Sequence, residues 1–157
     1  MKKSFSTFYY AYGILGAILY SLPVVLFIAT VRFADQWMLY IGNFLLLMMV
    51  FFSVIQYNRI FGGNASLSAM IMAGLKTALI SIIISCLILV ILYFANKDKS
   101  LLQAPGEMIN GKKNGLWSVL FLDATIVNVF ATAFASLMAA ISSKRNQKPV
   151  QDNIHHA

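Results

Sequence analysis

Four long apolar runs, separated by short polar clusters, set the pattern of this chain, at approximately residues 8–31, 37–57, 69–94 and 116–141. A bilayer core about 30 Å thick needs about 20 apolar residues in helical form, and each run reaches that length. The pattern predicts an all-α membrane protein, four transmembrane helices in an antiparallel up-down bundle.

The polar clusters give the punctuation. Lys2 and Lys3 open the first run as a signal peptide would, but the stretch exceeds an h-region of about 7 to 15 residues. It lacks a convincing small-x-small cleavage site, so it reads as an uncleaved signal anchor. Pro23 lies inside it and predicts a kink or a packing irregularity. The short connection from Arg32 to Gln36 forces the first two helices into an antiparallel hairpin. Asn58, Arg59, Gly62, Gly63 and Asn64 mark a tight turn, after which Ser66 or Ser68 is placed to cap the third helix. Asn96 to Gly115 reads as a loop, and residues 142–157 as a polar tail too short to bury a core of its own.

Composition agrees with lipid as the solvent. The 157 residues are 60% hydrophobic and 11% charged, with a mean hydropathy of +0.78, against about 25% charged residues in an ordinary soluble domain. The net charge of +7 points to anionic headgroups rather than nucleic acid, because the Lys and Arg residues flank the apolar runs and no basic stripe is interleaved with aromatics. Cys86 is the single cysteine and forms no intrachain disulfide. With both termini in the cytoplasm, the inner side collects Lys2, Lys3, Arg59, Lys144, Arg145 and Lys148, with Lys76 as a potential seventh; the outer side holds Arg32, Lys97, Lys99, Lys112 and Lys113. That excess, concentrated on short flanks, favours cytoplasmic termini. Tyr9, Tyr10, Trp37, Tyr57, Tyr93 and Trp117 fall where an interfacial aromatic belt would lie.

In lipid, helices associate through small residues that let backbones approach. Rows at spacing four occur in helix one (Gly13, Ala17, Ser21), helix three (Ala73, Thr77, Ser81, Ser85, with Gly74 and Ala78 alongside) and helix four (Ala131, Ala135, Ala139). These are candidate packing faces. Helix two is bulkier, with Leu45 to Met49, Phe51 and Phe52, and is expected to lie peripherally or to offer a surface to a partner chain.

Ionisable groups in the bilayer are costly, about 2.5 to 3.5 kcal/mol at its centre even on the lenient scale, and so carry functional weight. Lys76 and Asp123 qualify, each roughly 10 Å inside its helix at 1.5 Å per residue. They approach the midplane from opposite sides, so a direct pair would require a stretched Lys76 stem, and a snorkelling Lys76 is the plainer expectation. Asn43 lies at a depth matching Asp123 and is positioned to hydrogen-bond to it. Thr125, Asn128, Thr132 and Ser136 share one side of helix four, but on a regular wheel Asp123 is well over 100° from Thr132, which argues against a single polar stripe. No catalytic constellation or cofactor motif is legible. His155 and His156 are adjacent in the tail, so no ordered metal site is expected.

The stretch Tyr57-Asn58-Arg59-Ile60-Phe61-Gly62-Gly63-Asn64-Ala65-Ser66-Leu67, followed by Ala73-Gly74-Leu75-Lys76-Thr77, resembles a family of small four-helix bacterial membrane proteins labelled only as a domain of unknown function. The shared pattern is an Arg after helix two, a Gly pair, a Ser-led turn and small residues opening helix three; the loop from Asn96 to Gly115 departs from it in being less acidic. The resemblance implies a fold and a membrane address, without a mechanism. The expectation is a non-enzymatic subunit of the bacterial inner membrane acting by association with itself or another membrane subunit. A small oligomeric transporter or channel using Asp123, Lys76, Asn43 and Asn128 is the alternative.

Overall fold

The computed structural model describes residues 3–29, 37–96 and 115–145. They form α1 (Lys3–Ala29), α2 (Trp37–Ile60), α3 (Leu67–Ala95), α4 (Gly115–Leu122), a π-helical turn (Asp123–Val127) and α5 (Asn128–Arg145), the last three making one continuous fourth span. Four helices are long and apolar enough to cross a membrane. The connection from Arg32 to Gln36, most of the loop after Asn96 and the tail beyond Arg145, with His155 and His156, lie outside the described residues. The fourth helix continues through Ser142 to Arg145, four residues past its expected end, because Lys144 and Arg145 suit the negative pole of a helix C-terminus.

The turn between α2 and α3 has the chemistry its sequence demands. Gly62 and Gly63 take φ of 62° and 85°, which costs glycine nothing. The Gly63 N–H donates to the Asn58 carbonyl (2.9 Å) and the Gly62 N–H to that of Arg59 (3.0 Å), so two carbonyls at the end of α2 are satisfied. Of the two candidate caps, Ser66 is the one used: its hydroxyl accepts from the Ala69 N–H at 3.2 Å. α1 passes through Pro23 without interruption.

Chain direction alternates, and the order around the bundle is α1, α2, fourth span, α3. α1 packs on α2 and α3, the fourth span packs on α2 and α3, and α2 touches α3 between them. The parallel neighbours are α1 with α3, where Ser81 donates to the Gly13 carbonyl at 2.8 Å, and α2 with the fourth span. This corrects the expected place of α2, which is central. Its bulk explains why: the Leu46 and Val54 side chains fill the gaps left by glycines. A Cβ at Gly16 would lie 3.1 Å from Leu46, and one at Gly74 2.7 Å from Val54 and from the Ser136 Cβ. Large residues on α2 thus interlock with small ones on its neighbours.

The expected small faces point inward at Gly13, Ala17, Ser21, Ala73, Thr77, Ser81, Ala135 and Ala139, all buried, whereas Ala131 stands half-buried at the edge of its row. The buried stripe of α5 instead runs through Asn128, Thr132, Ala135, Ser136, Ala139 and Ala140. The outward surface is bulky and apolar, Phe130 being 73% and Ile91 67% exposed. Small and polar residues interlocked with buried bulky ones such as Leu46 and Leu120, and an outer surface of large apolar side chains, suit a lipid solvent, where apolar side chains lose nothing by facing out.

Candidate functional site

Toward the end of the bundle opposite the N-terminus, the fourth span departs from regular α-helix. At the π turn the Asn128 N–H reaches back five residues to the Asp123 carbonyl, and the Thr125 hydroxyl donates to the Phe121 carbonyl at 2.6 Å. Such a turn takes up one extra residue, shifting the helix phase by about 100°. Asp123 therefore moves from about 180° to about 80° from Thr132, and to about 40° from Asn128. The expectation that Asp123 stands apart from the polar side of helix four is thereby corrected: the π turn rotates it toward that side.

Asp123 is half-buried and held by two other helices. The Tyr20 hydroxyl of α1 donates to its Oδ2 at 2.9 Å. The Asn43 Nδ2 of α2 donates to its Oδ1 at 2.8 Å, the contact their matching depths foretold. The first bond joins α1 directly to the fourth span on the opposite corner of the bundle, and the second ties α2 to the same carboxylate. Tyr20 is fully buried, as its position at 0% exposure requires a partner for the phenol. Its hydroxyl faces Asn128 as well as Asp123, and Cys86 of α3 packs against the same cluster. All four spans thus meet at this level, within a cluster closed by Val24, Leu46, Leu89 and Leu120. Above it Trp117 and Tyr93 make an edge-on contact at 5.3 Å.

Glycine again eases the approach: a Cβ at Gly42, beside Asn43, would lie 3.0 Å from the Tyr20 carbonyl, a tight contact that glycine avoids where α2 meets α1.

The four buried side-chain atoms that lack a hydrogen-bond partner among the described residues are Ser21 Oγ, Asn43 Oδ1, Ser85 Oγ and Asn128 Oδ1. All are oxygens, and all lie in this half of the bundle. Elsewhere the buried hydroxyls are satisfied by backbone: Ser53 on Val50, Thr77 on Ala73, Thr132 on Asn128 and Ser136 on Thr132.

Lys76 belongs to the other half. It is exposed, and its ammonium sits over the Tyr9 ring at 5.6 Å from the centroid, so it does not meet Asp123. Two lateral grooves run between α1 and α2. One, about 310 Å³, is lined by apolar residues around Pro23 and Trp37; the other, about 500 Å³, passes Phe52 and ends at Gln56 and Arg59.

Sequence reading placed Asp123, Asn43 and Asn128 as candidates, and the fold brings them together; it missed Tyr20. A hydroxyl in the middle of an apolar run, away from both interfacial belts, was the available signal. No family model matches the chain, and no curated protein or solved structure is significantly similar to it. The family resemblance carried by Tyr57 to Leu67 accordingly stays an expectation.

Proposed function

We propose that this multi-pass membrane protein is a non-enzymatic subunit of the bacterial inner membrane, with both termini cytoplasmic, whose working part is the polar centre at Asp123, used to move a small cation or proton. The observation that carries this reading is a membrane-deep carboxylate gripped by donors from two other helices at a π turn. Intramembrane carboxylates are expensive and mark ion and proton paths, and π turns recur at functional sites.

Association is part of the proposal. Near Gly74 the interior has no room even for an added methyl, so one chain does not enclose a path through its own centre. A path would run between copies of this chain, or between it and another membrane subunit. The internal packing of the small-residue faces leaves the bulky outer surface for that contact. The groove ending at Arg59 and the ammonium of Lys76 lie at the end assigned to the cytoplasm, where anionic headgroups gather.

Purified protein in liposomes, loaded with pH-sensitive or cation-sensitive dyes, tests the reading. Flux in the wild type and its loss in Asp123→Asn, with an unchanged helical spectrum, is the expected result. Equal flux in both proteins, or none in either, would overturn it.

A further inference from the structure

We infer that the Asp123 centre is a binding site for a dehydrated alkali cation of the sodium type. The inference deepens the reading above, on which it rests for its biological sense, but it is argued from donors alone.

A buried polar atom without a partner costs about 1 to 3 kcal/mol and calls for an explanation. Four such atoms occur among the described residues, every one an oxygen able to accept or coordinate and without a partner there. Asn128 and Ser85 are fully buried, and Asn43 and Ser21 are more than nine-tenths buried. Two of them stand at the Asp123 centre: Asn128 faces Tyr20, and Asn43 holds Asp123. The orientation of the Asn43 amide is fixed, because its NH₂ must face the accepting carboxylate; its oxygen is therefore the atom left over.

The donor set selects the ligand. Oxygens alone, with no imidazole and no group of three metal-binding side chains among the described residues, suit a hard cation rather than zinc or copper. Asp123 is the one carboxylate among the described residues. A monovalent ion leaves the site neutral, whereas a divalent ion would leave a net positive charge where charge is costly. Amide, phenol and carboxylate oxygens from α1, α2 and the fourth span would replace the hydration shell, and doing so would satisfy the Asn43 and Asn128 oxygens that the fold leaves unpaired.

The test is equilibrium binding of radioactive sodium to the full chain in detergent, paired with thermal unfolding in sodium chloride against choline chloride at equal ionic strength. Saturable binding and a saturable rise in Tm with sodium are expected, since a ligand of the folded state stabilises it by mass action. Asp123→Asn should weaken sodium binding at least tenfold and Asn128→Ala severalfold, while Lys76→Gln, in the other half, should leave it unchanged. Identical unfolding curves in sodium and choline with no bound radioactivity would overturn the inference, as would sodium binding that survives Asp123→Asn and Asn128→Ala intact. The wild-type measurements stand even if a variant does not fold. Proton flux in sodium-free liposomes with no sodium binding would defeat this inference and leave the transport reading standing. Sodium binding without any flux would do the reverse.

Discussion

In the middle of the bundle and toward the chain termini, Ser53, Thr77, Ser81, Thr132 and Ser136 each donate to a backbone carbonyl, and glycines at 13, 16 and 74 let the helices touch. In the opposite half, Tyr20, Asn43 and Asp123 bond side chain to side chain across three spans, and four buried oxygens have no partner among the described residues. Both halves bury polar atoms in lipid, yet they treat them differently. Hydroxyls returned to backbone carbonyls are satisfied and hold the fold. Groups bonded across helices and left partly unpaired keep a capacity to bind.

Steric intrusion into the satisfied half should have the largest effect. Gly74→Leu puts four heavy atoms where a single Cβ already falls 2.7 Å from Val54 and from the Ser136 Cβ. Overpacking of a tight core costs about 1 to 3 kcal/mol and sometimes more, and both neighbours are on helices that cannot retreat independently. A loss of about 3 kcal/mol or more in detergent unfolding, or failure to accumulate in the membrane, is expected. Retention of wild-type stability would mean that α2, α3 and α5 do not converge at this level.

Much of this half was legible in the sequence. The small-residue rows announce close approach, and the Gly62-Gly63 pair with Ser66 writes out the turn. What escaped was the place of α2, because bulk reads as peripheral when helices are weighed one at a time. In the assembled bundle, Leu46 and Val54 fill the hollows at Gly16 and Gly74. The opposite half was legible only in part. Depth paired Asn43 with Asp123, but an even 100° wheel separated Asp123 from Asn128 and Thr132. The π turn that reunites them shifts phase by one residue without altering the composition of the run. Tyr20 was overlooked for a related reason: inside an apolar segment a tyrosine looks like packing until the partner for its hydroxyl is known.

The unpaired half should respond next, and as a coupled unit. Tyr20→Phe keeps the ring and removes one donor to the Asp123 carboxylate. Hydrogen bonds between membrane helices average about 0.6 kcal/mol and reach about 1.7. The bond here is made to an acid group and joins corner helices with no other substantial contact, so a loss near the upper figure is expected. Combined with Asp123→Asn in a double-mutant cycle, the two changes should cost less together than the sum of each alone. Strict additivity would mean that the bond does not tie α1 to the fourth span.

The smallest effects should separate a bond that holds two helices from a surface that only faces lipid. The Ser81 hydroxyl lies 2.8 Å from the Gly13 carbonyl on α1 and 3.1 Å from that of Thr77 on its own helix. Ser81→Ala therefore removes one cross-helix contact while leaving both carbonyls in their backbone ladders. A loss of about 0.6 kcal/mol, the average for such bonds, is expected, with sodium binding unchanged because Ser81 is among the satisfied hydroxyls. Phe130→Leu, at an outward position 73% exposed, should stay within about 0.5 kcal/mol of wild type in a monomeric detergent preparation, as exposed substitutions away from special features do. The same change has a second use, because Phe130 stands on the bulky face left for association. If copies of the chain meet there, Phe130→Leu should weaken crosslinking between copies in native membranes while leaving the unfolding of the single chain alone. A variant that unfolded early with its crosslinks intact would place Phe130 inside the fold and remove this face from the proposed contact.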